Sequence, residues 1–289
     1  MLPVIERFIA TQTWLDSLGD PLQNALNSLF KNNGPAAQQA KNMLNGTWLG
    51  HPLHPVLTDV PVGAFTCTMV LDAASALSDS KGLNAAADIT MAAGLLGATG
   101  SALSGWADWS DTYGKDRKVG LLHGLSMVTM YVLYAGSFVA RRRGARTTGT
   151  VLSTVGYGVL SAAAYLGGDE VFDLGYGVNH TAFEQAPSKY VPAMAEAELE
   201  ANKPTQAEAG GIKVLLVKQQ GHIYALNDTC THAGCSLAGG QLDGGTIVCP
   251  CHGSQFDLAD GSIVRGPATY PEQALAVRVH EGMIEVKQA

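Results

Sequence analysis

The sequence predicts a multi-domain chain: an all-α bundle of four membrane-spanning helices followed by an all-β domain. Three observations carry this. Charged residues are 15% of the 289, against roughly 25% in an ordinary soluble domain, and the mean hydropathy is positive at +0.10. The charges are also segregated. Residues 120–140 and 147–167 carry none, residues 55–77 carry only Asp59 and Asp72, and residues 83–106 carry only Asp88. Each run is as long as the roughly 20 apolar residues that cross a bilayer as a helix. Four such runs favour a membrane bundle over buried helices of a large soluble core. Finally, from residue 182 the texture turns to short β-type runs with many charges, as a water-exposed domain requires. The net charge of −7 gives no ground for nucleic-acid binding.

The N-terminus lacks the basic start, apolar core and small-residue cleavage site of a signal peptide. Within LQNALNSLF (residues 22–30), Leu22, Leu26, Leu29 and Phe30 fall on one helical stripe. Residues 1–48 are therefore expected as short amphipathic helices lying on the bundle or the membrane surface. The membrane domain is placed at residues 49–181, with spans at about 55–77, 83–106, 120–140 and 147–167.

Loop charge orients these spans. RRRGAR, between the third and fourth, holds Arg141, Arg142, Arg143 and Arg146 and no acid. The loop between the second and third, DWSDTYGKDRK, balances three basic residues against three acidic ones. The excess of arginine places its loop in the cytoplasm, so both termini lie outside. Trp48, Trp106 and Trp109 then fall at one outer level, as an interfacial aromatic belt would. Asp72 and Asp88, near the inner span ends, are expected to reach interfacial water or cap helices. Cys67, within the first span, reads as a small apolar filler.

The chemistry sits downstream, in CTHAGC (residues 230–235) and CPCHGS (residues 249–254). As ligand spacings these are Cys-x-His and Cys-x-x-His, with sixteen residues between His232 and Cys249. Two loops, each offering one thiolate and one imidazole, suit a two-iron cluster: Cys230 and Cys249 on one iron, His232 and His252 on the other. This region, from about residue 195 to 288, resembles a Rieske [2Fe–2S] domain, including the lead-in IKVLLVKQQGHIYALND and GPAT (residues 266–269), with Pro267, which matches the family's loop over the cluster. Four Cys and His donors are also the set of a closed zinc site, but zinc sites usually pair ligands as Cys-x-x-Cys or His-x-x-x-His. The resemblance further implies a disulfide between Cys235 and Cys251, which zinc leaves unexplained.

The resemblance also assigns tuning residues. Ser254 matches the family's serine donor to the cluster, whereas Phe256 stands where high-potential members have a tyrosine. Hydrogen bonds to cluster sulfurs raise the potential, so an intermediate value is expected, below that of respiratory-complex relatives. His222 and His280, in strand-like runs, are expected to have no ligand role.

Residues 44–180 resemble a family of uncharacterised bacterial four-helix membrane domains, through LNGTWLGHPLHPVLTDVPVG, GWADW and GLLHG. In this part His51, His54, His123 and His180 all fall toward the outer side. Histidine at a span is costly unless it is paired or functional. Two functional readings follow: a haem b ligated by two of these histidines, or a quinol pocket in which Asp59 or a histidine accepts protons. Helix caps are the plain alternative. Gly94, Gly97 and Gly100 would admit either a flat macrocycle or a neighbouring helix.

Residues 182–192 are expected as an extended linker, stiffened by Pro187 and Pro192, leading to the Rieske domain at residues 193–289. The whole then reads as a multi-pass protein of the bacterial cytoplasmic membrane, with its head outside. It would serve as the electron-transfer component of an oxidoreductase, carrying single electrons from quinol or haem to a redox partner such as a cytochrome or respiratory complex. Competing readings are an accessory subunit of a respiratory complex and the Rieske component of an oxygenase system.

Overall fold

The computed structural model describes residues 8–31 and 33–289. Residues 1–7 and residue 32, part of the expected N-terminal helices, lie outside the described residues. The chain divides into two compact units, one formed by Met1–Ala37 with Leu53–Leu174, the other by Gln38–Pro52 with Gly175–Ala289.

In the first unit, α1 (Thr13–Lys31) precedes four long helices: α3 (Leu53–Ser78), α4 (Lys81–Trp109), α5 (Gly114–Arg142) and α6 (Arg146–Phe172). These hold 26, 29, 29 and 27 residues and are apolar enough to cross a bilayer. At 1.5 Å per residue each exceeds the ~30 Å hydrocarbon layer. Large apolar side chains such as Val70, Leu96, Val132 and Val155 point outward, the arrangement a lipid solvent rewards. Short connections make α3/α4 and α5/α6 antiparallel pairs. Gly144, at φ +84, ends the fifth helix in a backbone conformation that favours glycine.

Glycine sets the spacing of α3 and α4. A Cβ on Gly94 would lie 2.5 Å from the Phe65 ring, and one on Gly97 would lie 2.6 Å from Val60. The small-residue stripe thus admits the neighbouring helix, not a macrocycle. Phe65 in turn stacks on Tyr134 with ring centroids 3.7 Å apart.

Asp72 is buried, whereas the Asp88 side chain is 26% exposed. Both meet arginines of the RRRGAR segment: Arg141 Nη1 donates to Asp72 at 2.7 Å, and Arg146 donates to Asp88 at 3.0 Å and to Asp72 at 3.1 Å. The Arg141 side chain is fully buried, and Ser137 and Ser153 complete its hydrogen bonding. Two cations of the orienting loop are therefore also internal partners of span carboxylates, because an unpaired charge there would be far more costly.

Helix α1 presents Leu22 and Leu26 to a cluster of Ile9, Leu15, Trp109, Val119 and Leu121. Leu29 is left exposed. Gln23 donates to Trp109 O at 3.3 Å and Thr112 O at 2.8 Å, and Asn27 donates to Ser110 O at 3.1 Å. These side chains satisfy carbonyls that the end of α4 leaves unpaired. Trp109 is 5% exposed and donates its indole N–H to Arg117 O, so it is a core residue and not a belt residue. Cys67 is exposed on α3 and does not fill the interior.

The second unit contains the later part of α2 (Gly34–Asn45) and ten strands. Three antiparallel sheets form. The first, in order β1-β10-β9, uses β1 (Val191–Ala195), β9 (Leu275–His280) and β10 (Met283–Gln288). The second joins β2 (Thr205–Ala209), β3 (Ile212–Gln219) and β4 (His222–Asn227). The third runs β5 (Gln241–Asp243), β6 (Thr246–Val248), β7 (Gln255–Asp257) and β8 (Ile263–Arg265). Tight hairpins set the registers: Gln220 with Gly221, and Glu281 with Gly282, both have positive φ, as two-residue turns matching the strand twist demand. Strand β3 is buried on both faces. Val214 and Leu216 enter one core, while Leu215 and Val217 enter the other beside Cys230 and Cys249.

Residues 182–192 are not a free tether. Pro187 O accepts from Gln288 N, Glu184 accepts from the Asn227 amide at 2.6 Å, and Tyr190 lies under Arg278. Pro192 sits in β1, an edge strand, where a missing N–H is tolerated.

Candidate iron–sulfur centre

The two motifs fold into the same turn. In CTHAGC, Gly234 N donates to Cys230 O at 2.8 Å; in CPCHGS, Gly253 N donates to Cys249 O at 3.1 Å. Each glycine lies four residues after its cysteine, at φ +72 and +76, a conformation that other residues adopt only at a cost. The turns bring the side chains of both loops together. Cys230 and Cys249 share one buried core cluster, and the His232 and His252 rings lie with centroids 4.8 Å apart. A disulfide between Cys235 and Cys251 joins the loops.

Burial governs the electrostatics. His232 is 8% exposed, and desolvation pushes its pKa down to about 3, helped by His252, His180 and Lys41. The ring is thus held neutral, as a metal-binding imidazole must be. Its Nδ1 is buried without a hydrogen-bond partner, an uncommon state that calls for an explanation such as a bound ion. In the thiol pair, the neighbouring Cys230 lowers Cys249 to about 7, while the neighbouring Cys249 raises Cys230. Two converging thiols, two converging imidazoles and an orphaned ring nitrogen fit the mixed ligand set of a two-iron cluster.

The surrounding hydrogen bonds hold the loops in place. Asp228 accepts from Ala238 N at 2.7 Å and from the Ser236 hydroxyl at 2.6 Å. Thr231 N donates to Glu272 at 2.7 Å, and the Thr231 hydroxyl donates to Tyr270 O. Burial pushes the Glu272 carboxyl up to about 8. Ser254 is fully buried, and its Oγ accepts from Ala268 N at 2.9 Å, which leaves its own O–H available to donate. Pro267, after a cis peptide bond, and Phe256 are both buried; Phe256 shares a core cluster with Cys230 and Cys249.

Several participants carry no motif signal. Asn42 of α2 donates to Val264 O and accepts from Gly266 N, and the Tyr176 ring meets His232 edge-on at 5.9 Å. Lys41 is buried in the same unit.

The four histidines of the membrane part separate. His54 and His123 meet, with ring centroids 6.4 Å apart. His180 instead belongs to the second unit, where its backbone N–H donates to Thr231 O in the CTHAGC loop and its ring Nε2 meets Gly175 O at 3.1 Å. His51 is exposed in that same unit, and Asp59 is exposed on α3. His222 and His280 are exposed in strands.

Residues 189–281 match the family described as Rieske [2Fe-2S] domain, and residues 50–180 match the one described as Predicted membrane protein (DUF2231). Among curated proteins, the chain is 44% identical over 77 residues to cytochrome b6-f complex iron-sulfur subunit 2 of Cyanophora paradoxa, covering 24% of this chain and 31% of that one. It is also 44% identical over 63 residues to ferredoxin CarAc of Metapseudomonas resinovorans, covering 22% and 59%. The chain thus spans less than two thirds of either relative's length. Among solved structures, the ferredoxin of carbazole 1,9a-dioxygenase from Nocardioides aromaticivorans IC177 is similar at 28% identity and a TM-score of 0.34, covering 35% of this chain and all of that one. The protein is therefore a multi-pass membrane protein that carries a DUF2231 domain and, after it, a Rieske domain whose cofactor is a [2Fe–2S] cluster.

Proposed function

We propose that the chain is a membrane-anchored one-electron carrier. Cys230 and Cys249 would hold one iron of the cluster, and His232 and His252 the other. The observation that supports this is the paired turn: the same backbone turn in both loops sets the two imidazoles 4.8 Å apart and both cysteines in one core cluster, with the Cys235–Cys251 disulfide joining the loops. When bound, the cluster supplies a one-electron couple. The residues around it set the affinity for that electron. The Ser254 hydroxyl, with its oxygen already accepting from Ala268 N, is free to donate toward sulfur, and Phe256 has no hydroxyl to add. Pro267 and its neighbours cover the site.

In this reading electrons enter from a membrane donor, a quinol or a haem of the bundle, and leave to a redox partner protein such as a cytochrome or respiratory complex. The arginine-rich loop, with Arg142 and Arg143 exposed, favours a cytoplasmic placement and so a head on the outer side of a bacterial cytoplasmic membrane. The test is an EPR spectrum of the dithionite-reduced, detergent-purified full chain. A rhombic signal of mixed-ligand [2Fe–2S] type is expected, abolished by His252→Ala or Cys249→Ser. A signal with all-thiolate character, or iron retained in both variants, would overturn the ligand assignment.

A further inference from the structure

We infer that His54 and His123 form a two-imidazole ligand site for haem inside the helix bundle. This deepens the proposed function: it rests on that reading for the use of the site, though not for the site itself.

Four observations within the bundle support it. Each ring is oriented through Nδ1 by a backbone carbonyl of another helix: His54 donates to Ser101 O of α4 at 2.8 Å, and His123 donates to Ala163 O of α6 at 2.8 Å. A carbonyl only accepts, so in each neutral ring Nδ1 carries the proton and Nε2 carries the lone pair. This is the second-shell pattern that fixes the tautomer of a metal-binding histidine.

Each ring also lies against a glycine. A Cβ on Gly105 would come within 2.8 Å of His54, and one on Gly167 within 3.1 Å of His123. Helix α4 faces His54 and helix α6 faces His123 through positions where any larger residue would displace the imidazole. The two rings come from α3 and α5, so four helices contribute to one site.

The separation suits a shared ion. A metal–imidazole bond is about 2.0–2.1 Å, so two imidazoles on opposite sides of one ion place their ring centres roughly 6 Å apart. The centroids here are 6.4 Å apart, with the planes at 88°. In the head, by contrast, the two imidazoles are 4.8 Å apart.

The ligand count then selects the chemical class. Among the described residues of the bundle, no third His, Cys, Asp or Glu side chain is grouped with His54 and His123 as a metal site. Two imidazoles leave most of an iron's coordination unfilled. A tetrapyrrole supplies four nitrogens in a plane and leaves the two axial positions for the histidines, which is the arrangement helix bundles use for buried haem. The chain has no Cys-x-x-Cys-His, so the group would be bound without thioether links.

The test uses the full chain, expressed with adequate haem and iron and purified in detergent. Pyridine haemochrome and optical spectra give haem per chain, while EPR of the same sample reports the cluster. A Soret band near one haem per chain is expected, with haem content falling at least roughly tenfold in His54→Ala and His123→Ala. A wild-type sample with a full cluster signal and no Soret band would overturn the site while leaving the Rieske reading intact. Haem retained undiminished in both variants would also overturn it. A variant that loses both signals is resolved by His123→Gly assayed with added imidazole: a restored Soret band supports axial ligation, and none restored counts against it.

Discussion

Asn42 accepts a hydrogen bond from Gly266 N at 3.1 Å and donates one to Val264 O at 3.3 Å. One side chain from before the first spanning helix thus clamps the segment that leads into Pro267, more than two hundred residues later. The helix that bears it also brings buried Lys41 into the head. The segment that precedes the membrane is therefore part of the cluster-bearing unit. Asn42→Ala removes both bonds from a partly buried site and should cost about 1–2 kcal/mol. Thermal loss of the cluster's visible circular dichroism, followed in the full chain, should shift to lower temperature. An unchanged midpoint would show that the clamp is incidental.

What the sequence made legible, and what it hid, follows from the range of each interaction. Four spans were readable because lipid removes charge from every turn of a helix, a signal spread over more than twenty residues. The paired loops were readable because both members of each Cys/His set lie within four residues. Asn42 gave no such sign, since its partners are 222 and 224 residues away and an amphipathic helix holds many asparagines. Asp72 and Asp88 look interfacial in the sequence because their partners Arg141 and Arg146 stand in a segment whose charge is explained by orientation alone. Pro187 and Pro192 suggested an extended tether, yet one caps the final strand by its carbonyl and the other occupies a sheet edge, where proline costs little. The histidines were legible as a group but not as a pair: the helical register, not their order in the chain, joins His54 with His123 and separates His51 and His180.

The Arg141–Asp72 pair should behave as a buried ion pair. Asp72→Leu alone leaves the Arg141 guanidinium, fully enclosed by the bundle, with only Asp88 as an acidic partner. Removing one member of such a pair costs about 3–5 kcal/mol, whereas replacing both with apolar residues is close to neutral. Asp72→Leu combined with Arg141→Met should therefore be more stable than Asp72→Leu alone in denaturant unfolding of the detergent-solubilised protein. A double variant as unstable as the sum of its parts would contradict this.

Glu272 supports the CTHAGC loop by accepting from Thr231 N, between Cys230 and His232. Glu272→Ala leaves that buried N–H unpaired, at a cost of about 1–3 kcal/mol. Cluster loss to a chelator should accelerate accordingly. Glu272→Gln keeps an acceptor, and burial already pushes the native carboxyl up to about 8, so near pH 7 the amide replaces a largely neutral group. It should retain its cluster nearly as well as the wild type. Equal loss in both variants would locate the effect in packing and not in the bond to Thr231.

Ser254 and Phe256 make the tuning of the centre testable in both directions. The Ser254 oxygen accepts from Ala268 N, which sets the hydroxyl and leaves its proton for an acceptor other than that amide. Reduction adds negative charge to the cluster, so a donor to sulfur stabilises the reduced form and raises the potential. A hydrogen bond strengthened by about 1.4 kcal/mol on reduction corresponds to ~60 mV for one electron. Ser254→Ala should lower the midpoint by that order. Phe256 is fully buried in the cluster of side chains that includes Cys230 and Cys249, so Phe256→Tyr adds a hydroxyl to that cluster and, if it donates to sulfur, should raise the midpoint by a similar amount. Redox titration of the full chain, followed by circular dichroism, measures both. If Ser254→Ala leaves the midpoint unmoved, its hydroxyl serves the Ala268 turn and not the cluster. If Phe256→Tyr lowers the midpoint, the added oxygen has disturbed the packing around Cys249 in place of donating to it.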